Sequence, residues 1–349
     1  MTAALRVVAP GLMTTLQDLG RPGYQHLGVP VSGALDPVCL RAANLLVGNP
    51  PGMGALEIAY QGPTLAVEAD SVRIAVAGGQ APIDIVSPDG GGARRLAVGE
   101  SASLRRGQVL KIGALTGSPI LYLAVEGGFD IAPVMGSQST LTRGGIGGFE
   151  GRALRTGDVL PLRLHTAAER EEAMLPPLDL APPPRIRVVL GPQDDHFTPA
   201  GLRTLLGSIY TISRASDRMG MRLEGPTLEH SAKGANIISD GTAPGSIQVP
   251  GNGLPIVLLA DRQTTGGYPK IATVISADLP ALGRMTPGAK IAFAAIDIET
   301  AESAGRQLAA YIAAWPGRMV PARRPSAIDT AKLLGENLIS GTVDAREGD

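Results

Sequence analysis

Two stretches of the sequence match each other: residues 56–65 read LEIAYQGPTL, and residues 223–228 read LEGPTL. Further matches lie on their C-terminal side in the same order, pairing GSPIL at 117–121 with GLPIV at 253–257, and residues 154–162 with residues 285–293. Each match is weak alone, but one shared order of motifs in two halves of a chain indicates an internal duplication. We therefore predict two related domains.

Short apolar runs with turns between them surround these motifs, as is typical of β-strands. The clearest runs are Leu5–Val8, Val72–Ala77, Ile83–Val86, Ile120–Val125, Val159–Leu164, Ile186–Leu190, Ile209–Ser213, Ile256–Ala260, Ile271–Ile275 and Ile291–Ala294. The chain also holds 46 glycines and 29 prolines, which fits many turns. Strands that do not alternate regularly with helices favour a mainly β fold, with β-barrels and added helices rather than a doubly wound sheet.

Capping residues followed by proline predict two helices, from Asp36-Pro37 to Gly48 and from Thr198-Pro199 to Gly207. Two more are predicted from Thr300 to Trp315 and from Ala327 to Leu338. Residues 167–184 hold five prolines, and such a stiff, polar stretch indicates a linker or surface crossing. We expect a first barrel in 1–166, a Pro-rich linker in 167–184, a second barrel in 185–315 and a C-terminal helical extension in 316–349.

Composition excludes several classes of function. The chain has 349 residues and a formal net charge of −1, so it offers no field for nucleic acid or an anionic membrane surface. The longest apolar runs are far shorter than the 18 or more residues of a membrane span. A single cysteine, Cys39, excludes an internal disulfide, and no secretory signal is apparent. We expect a cytoplasmic protein that binds neither nucleic acid nor membrane.

The densest polar cluster lies between two apolar runs, at residues 261–270 (DRQTTGGYPK). Arg262 and Lys270 would supply positive charge for a carboxylate or phosphate, and as surface charges they would contribute little to stability. Asp261 would orient Arg262 or accept a proton. A solvated hairpin with a local Asp–Arg pair is the alternative. The further candidates for contact with substrate or phosphate are Gln263, Thr264, Thr265, Gly266, Gly267 and Tyr268, the two glycines through consecutive N–H groups.

Three other clusters are weaker candidates. Ser32 and Asp36 lie in SGALD, where Asp36 caps the predicted helix and Ser32 could form a wall of the site. Arg143 stands beside four glycines that could wrap an anion or form a mobile tip. Asp217 and Arg218 could support the site or form a structural salt bridge. Cys39 lies in an apolar helix and is expected to pack in the core.

Several standard motifs are absent: His-Glu-x-x-His, Gly-x-Ser-x-Gly, Gly-x-Gly-x-x-Gly and a Walker loop. With four histidines far apart and one cysteine, we expect no catalytic metal bound by this chain.

Five segments resemble the KipA family, whose members are also named biotin-dependent carboxyltransferase family protein, allophanate hydrolase subunit 2, or the C subunit of 5-oxoprolinase. They are GLMTTLQDLGRPG at 11–23, SGALD at 32–36, DRMGMRLEG at 217–225, DGTAPGSIQVPGNG at 240–253 and, most specifically, residues 261–272. The resemblance covers roughly 8–295. It implies two cyclophilin-like β-barrel domains, in agreement with the duplication and the short strands.

The resemblance also implies an enzyme complex. Its other members would be a KipI-like partner and a metal-dependent partner of the LamB/YcsF type. The implied reaction is ATP-dependent opening of 5-oxo-L-proline to L-glutamate, in which this chain and the KipI-like partner activate the lactam by phosphorylation. ATP would bring Mg²⁺, bound in the complex.

Two alternatives stay open. Similar KipI–KipA pairs form the carboxyltransferase part of urea carboxylase, so this chain could act on urea or a related amide. No Met-Lys-Met biotinylation motif is present, so biotin would then be carried by another protein. Family namesakes also pair as a kinase inhibitor and its antagonist, and such a protein could act by binding its partner alone.

Overall fold

The computed structural model describes residues 3–88 and 93–322. Within these residues, eleven strands build the first half of the chain. They are β1 (Ala4–Ala9), β2 (Met13–Gln17), β3 (Ala55–Ala59), β4 (Thr64–Val67), β5 (Ser71–Gln80), β6 (Ile83–Val86), β7 (Ala93–Arg95), β8 (Ser101–Arg105), β9 (Val109–Ile112), β10 (Thr116–Val125) and β11 (Val159–Pro161).

These strands form two sheets, in the orders β11-β1-β4-β9-β6-β7 and β2-β3-β10-β5-β8. The chain passes repeatedly from one sheet to the other, from β1 to β2, from β3 to β4, from β5 to β6 and from β8 to β9. Alternating residues of both sheets face each other and form the first core, which includes Leu5, Leu56, Ile58, Leu121 and Leu123.

Twelve strands follow: β12 (Ala173–Met174), β13 (Ile186–Leu190), β14 (Tyr210–Ile212), β15 (Gly220–Glu224), β16 (Asp240–Gly241), β17 (Ser246–Gln248), β18 (Ile256–Leu258), β19 (Thr265–Gly266), β20 (Lys270–Val274), β21 (Lys290–Ile291), β22 (Phe293–Ala295) and β23 (Val320–Pro321). Eight of them form one sheet in the order β21-β14-β15-β18-β17-β20-β13-β22. β21 and β22 are the two edge strands of this sheet, and only Ala292 separates them in the sequence. The two edges therefore lie close together, and the sheet is a nearly closed barrel around a second core. The predicted mainly β, barrel-type fold is confirmed.

Within each half, the two strands that carry the matching motifs pair with each other. β3 and β10, which carry the first set, are antiparallel neighbours, and so are β15 and β18, which carry the second. The registers differ, because Ile120 lies opposite Ala59 whereas Ile256 lies opposite Arg222. The pairing supports a duplication, while the domain limits stay a prediction.

In the described residues four α-helices accompany the strands: α1 (Pro37–Leu46), α2 (Pro199–Gly207), α3 (Leu279–Gly283) and α4 (Ile298–Ala313). Short 3-10 turns lie at Gln25–Leu27, Asp194–His196 and Trp315–Arg318. Asp36 caps α1 and Thr198 caps α2, as predicted. α4 begins two residues before the predicted Thr300, because the Asp297 side chain accepts a hydrogen bond from the Thr300 N–H. The helix predicted at 327–338 lies outside the described residues.

A third core lies where α1 covers the outer face of the β3–β10–β5 sheet. Cys39 is fully buried there, as expected, among residues that include Tyr122 and Trp315. Burial raises the pKa of its thiol well above the usual value. No helix in the part of the chain that the structure describes is long and apolar enough to cross a membrane.

The proline-rich stretch at 167–184 is fastened to the first half. Glu172 is buried and accepts hydrogen bonds from Arg73 Nε at 3.0 Å, Ser101 Oγ at 2.6 Å and Ser103 Oγ at 2.6 Å. β12, within this stretch, pairs with β23 near the end of the described chain. The stretch is therefore a surface crossing with buried anchors and not a free linker.

Candidate functional site at the junction of the two halves

The junction of the two halves holds a cluster of buried charges. Asp261 follows β18, and its carboxylate accepts hydrogen bonds from Ser32 Oγ at 2.5 Å and Arg218 Nε at 2.7 Å. Arg218 stands just before β15 and also donates to Glu57 of β3 and to the carbonyl oxygen of Gly33 at 2.6 Å. Because both halves contribute, this network forms only when they pack together.

Arg218 is the centre of the network. Burial alone would lower its pKa, but the negative charges of Glu57 and Asp261 outweigh that effect and raise it. The side chains of both carboxylates are only 5% exposed. Removing one partner of a buried ion pair typically costs about 3–5 kcal/mol. Arg218 therefore holds Asp261 in one orientation, and loss of this ion pair would strongly destabilise the protein.

The network continues to the start of α1. The Tyr122 hydroxyl of β10 donates to Glu57 and accepts a hydrogen bond from the Asp36 N–H at 2.9 Å. Burial, with the charge of Glu57, raises the pKa of Tyr122 well above its usual value, so the hydroxyl stays a donor. The Asp36 carboxylate pairs with Arg284 Nη1 at 2.8 Å. Asp36 therefore caps a helix and joins the halves, in addition to the capping role that the sequence predicts.

Ser32 adopts a backbone conformation that is unusual for a residue other than glycine. Its φ of 58° lies in the left-handed region, which costs about 1–3 kcal/mol. Hydrogen bonds compensate, from the Ser32 N–H to Ala260 O at 3.2 Å and from its hydroxyl to Asp261. Both bonds are to the second half, so the strained turn is maintained by contacts across the junction.

The segment 261–270 is not a hairpin. β18 and β20, the strands that flank it, are separated by β17 in the sheet. The segment therefore crosses the end of β17, and its short strand β19 pairs with β16, where Gly266 lies opposite Asp240. The alternative of a solvated hairpin is wrong because these strands are not neighbours.

The predicted pair of Asp261 and Arg262 is wrong, because the two side chains do not contact each other. The Asp261 carboxylate instead accepts hydrogen bonds from Arg218 and Ser32. Arg262 is 2% exposed and makes long hydrogen bonds to the carbonyl oxygens of Thr242 (3.4 Å) and Leu259 (3.5 Å). No carboxylate among the described residues pairs with it, and burial lowers its pKa to about 10. Arg262 is therefore a buried positive charge that an anion would stabilise.

Lys270, at the start of β20, forms an ion pair, unlike Arg262. Its side chain is 3% exposed and donates to Asp240 at 2.9 Å, and the hydrogen bond from Lys270 is the main cause of a lowered pKa at Asp240. The backbone N–H of Lys270 donates a hydrogen bond to Gln193 Oε1. Gln263 Nε2 donates one to Oε1 of Gln248, which lies opposite Lys270 in the sheet. The expectation that Arg262 and Lys270 are surface charges is wrong, because the sheet ends bury both.

Thr264, Thr265, Gly266, Gly267 and Tyr268 form the outer part of the segment, with Thr265 and Tyr268 exposed. The two glycines do not form the anion-binding arrangement predicted for them. Convergent N–H groups occur in pairs with one left-handed residue or in turns, whereas neither glycine has a φ in the left-handed region and Gly266 belongs to the strand β19. Gly266 instead leaves room for Gln248 Nε2, which would lie 2.3 Å from an added Cβ.

Arg143 and Asp217 flank the turn that carries Arg218. Arg143 is exposed and its guanidinium contacts Met219 Sδ. Asp217 Oδ1 accepts hydrogen bonds from the N–H groups of Met219 (2.8 Å) and Gly220 (3.2 Å). The predicted Asp217–Arg218 salt bridge is wrong, because Asp217 closes the turn while Arg218 points to Glu57 and Asp261.

Sequence reasoning missed Glu57, Tyr122 and Arg284 as members of the network. A signal for Glu57 was available, since it is the one charged residue in the strand ALEIA and stands in the repeated motif. Tyr122 and Arg284 gave no such signal. Within residues 3–88 and 93–322, no three His, Cys, Asp or Glu side chains come together as possible metal ligands.

Fold and site together define a mainly β protein, in which a half of two packed sheets meets a half that is a nearly closed barrel, with a guanidinium–carboxylate network at their junction. The family model described as carboxyltransferase domain, subdomain A and B, matches residues 27–295. The chain belongs to this family, which confirms the resemblance found in the sequence.

Curated relatives fall into two groups. The chain is 39% identical over 308 residues to the C subunit of 5-oxoprolinase from Escherichia coli (strain K12), covering 88% of this chain and 96% of the relative. For the protein of the same name from Haemophilus influenzae the identity is 36% over 301 residues, covering 85% and 93%. For urea amidolyase of Saccharomyces cerevisiae it is 31% over 321 residues, covering 86% of this chain but 17% of the relative.

Solved structures agree with the fold. The protein TTHA0988 superposes with a TM-score of 0.74 at 36% identity, covering 84% of this chain and 56% of that one. The K. lactis urea amidolyase superposes with a TM-score of 0.80 at 28% identity, covering 93% of this chain and 21% of that one. This chain thus spans little more than half of TTHA0988 and about a fifth of the amidolyase.

Proposed function

We propose that this chain is the C subunit of an ATP-dependent 5-oxoprolinase and helps to activate 5-oxo-L-proline by phosphorylation before its hydrolysis to L-glutamate. One observation carries the proposal. The alignment accounts for 96% and 93% of two proteins named as this 5-oxoprolinase subunit, but for only 17% of a urea amidolyase. The similarity therefore extends over the full architecture of the former.

The chemistry explains why ATP is needed. Amide resonance makes the lactam carbonyl a poor electrophile. If the lactam oxygen attacks the γ-phosphorus of ATP, a P–O bond forms, ADP leaves, and the ring carbon gains a phosphate leaving group. Water then adds to that carbon, and the ring C–N bond breaks as the nitrogen takes up a proton, which leaves an acyl phosphate. A second water displaces phosphate from this acyl phosphate to give glutamate. Groups that stabilise the phosphoryl charge accelerate the first step.

In this proposal Arg262 neutralises charge on the phosphoryl group or the substrate carboxylate, because it is buried and lacks a carboxylate partner in the described structure. Lys270 contributes once its ion pair with exposed Asp240 rearranges. Asp261 serves as the fixed hydrogen-bond acceptor, oriented by Arg218 and not by Arg262. The proposed contacts to substrate or phosphate are Ser32, Arg143, Gln263, Thr264, Thr265, Gly266, Gly267 and Tyr268, with Asp36 and Asp217 as supporting positions.

The proposed partners are a KipI-like protein and a LamB/YcsF-type protein, in the cytoplasm. Mg²⁺ would enter with ATP. The network at the junction and the cationic segment beside it form part of an active site, and the complex supplies the rest.

The test is reconstitution of this chain with the two partner proteins. We expect 5-oxoproline-dependent release of phosphate and glutamate that disappears when this chain is omitted. The variant Asp261→Asn should lower turnover, whereas Arg6→Met, which breaks an exposed pair with Glu68, should not. Equal turnover with and without the chain would contradict the proposal.

A second candidate is carboxyl transfer to urea or a related amide, favoured by the family's description and by the urea amidolyase relatives. Biotin would then arrive on another protein. Carboxylation of urea by this chain with its partner and a carboxybiotin carrier, without oxoproline turnover, would favour this candidate. A purely regulatory protein would show neither activity.

A further inference from the structure

A buried guanidinium in the first half, that of Arg21, lies beneath the glycine-rich turn at residues 144–148. Arg21 is 1% exposed, and its Nη2 donates to the carbonyl oxygen of Ser139. Its Nε and Nη1 atoms have no hydrogen-bond partner among the described residues. Because buried side-chain donors are nearly always paired, this guanidinium lacks partners that its burial requires.

No carboxylate forms an ion pair with Arg21 in the part of the chain that the structure describes. Burial lowers the pKa of Arg21, and the charges of Asp18 and Asp261 oppose that effect only in part. The Asp18 carboxylate already accepts four hydrogen bonds from its own surroundings, and Asp261 is paired with Arg218. The positive charge of Arg21 therefore has no anion in contact with it.

The turn above Arg21 presents a row of free backbone N–H groups. Those of Gly147, Gly148 and Phe149 donate no hydrogen bond within residues 3–88 and 93–322, although both glycines are buried. Gly147 and Gly148 have φ of 70° and 53°, in the left-handed region. Consecutive N–H groups in a turn with left-handed residues form a concave surface that binds anions.

The turn and the guanidinium are direct neighbours. A Cβ added at Gly147 would lie 2.5 Å from Arg21 Nη2, and one added at Gly148 would lie 1.7 Å from Thr140 Oγ1. Glycine at both positions therefore lets the backbone approach the charge with no side chain between them. Backbone N–H groups beside a guanidinium are a donor set suited to phosphate.

The other arginines near the turn have different surroundings. Arg152 is paired with Glu150 and Asp158, and Arg143 is exposed and contacts Met219. The sequence indicated Arg143 as the cation beside the glycines, whereas the structure places the buried guanidinium of Arg21 there.

We propose that Arg21 and the N–H groups of residues 147–149 bind a phosphate group, either free phosphate or the phosphate of a nucleotide. Residues 142–145, at the tip of the turn, are exposed, and the turn moves outward to admit the anion to the shielded guanidinium. This inference goes beyond the proposed function and does not rest on it, because its test is binding to the full chain without partners.

The experiment is an NMR titration of the full chain, labelled with ¹⁵N at glycine, with inorganic phosphate at constant ionic strength. We expect saturable downfield shifts of the Gly147 and Gly148 amide protons and none at Gly266 and Gly267, with acetate binding at least about tenfold more weakly. The absence of saturable binding at millimolar phosphate, larger shifts at Gly266 and Gly267, or equally tight binding of acetate would overturn the proposal.

ADP identifies the source of the phosphate group. If ADP displaces phosphate and binds more tightly, the site takes a nucleotide; if ADP binds equally or more weakly, the site takes free phosphate. Either result, with the expected glycine shifts, supports the site.

Two variants test the guanidinium. Arg21→Met keeps much of the apolar stem but removes the charge, and should weaken phosphate binding at least about tenfold. Arg152→Met is the matched control, because Arg152 lies beside the same turn but has its own carboxylates, and it should change binding less than about twofold. Undiminished binding in a folded Arg21→Met, or an equal loss in both variants, would refute the role of Arg21. If Arg21→Met does not fold, the glycine shifts of the wild type decide.

Discussion

Arg262→Met should separate stability from activity. Burial lowers the pKa of Arg262 to about 10. That corresponds to at most about 3–4 kcal/mol of cost for the charged form, or about 1–2 kcal/mol once residual solvent screening is allowed for. The side chain gains only two long hydrogen bonds in return. Methionine removes the charge but keeps much of the apolar stem, so the free energy of unfolding should stay level or rise by about 1–2 kcal/mol.

Activity should respond in the opposite direction. If Arg262 stabilises a phosphoryl or carboxylate charge, its removal should lower turnover of the reconstituted complex about a hundredfold to a thousandfold. Urea denaturation gives the stability, and 5-oxoproline-dependent phosphate release gives the turnover.

Arg218→Met provides the contrast for this prediction. Arg218 is also buried, but it is paired with two carboxylates, so its loss should cost about 3–5 kcal/mol of stability. Arg262 is not an unpaired buried charge with a role in turnover if Arg262→Met destabilises the protein as much as Arg218→Met does, or if it keeps full turnover.

Three further predictions concern stability. Lys270→Met should lower the free energy of unfolding at pH 7. Because Lys270 lowers the pKa of Asp240, the stability that this ion pair contributes should be lost as the pH falls through that lowered pKa. A difference in unfolding free energy between wild type and variant that grew in acid would contradict this. Asp36→Asn should keep the cap of α1 and lose an ion pair, whereas Asp36→Ala should lose about 1 kcal/mol more, as measured by thermal unfolding; equal effects would exclude capping as the cause. Gly147→Ala should be far more damaging than Gly145→Ala in urea denaturation, since both have positive φ but only at Gly147 would a Cβ lie 2.2 Å from a backbone oxygen; matching losses would show that φ alone matters.

Local sequence was sufficient for the elements with strong short-range signals. Apolar runs bounded by turns located β1, β5, β6, β10, β13, β14 and β20, because a strand buries a compact set of branched side chains. Asp36-Pro37 and Thr198-Pro199 located two helix starts, because capping needs only neighbouring residues. The repeated motifs and residues 261–272 were sufficient for the family.

The pairing of charges, in contrast, followed from the packing of the two halves. Asp261 and Arg262 are neighbours in sequence, yet the bend after β18 sends the first into the junction and the second into the end of its own barrel. Glu57 and Arg218 are 161 residues apart and pair because two separately formed sheets pack together. Ion pairs across a junction depend on the geometry of that packing, which no local pattern of residues encodes.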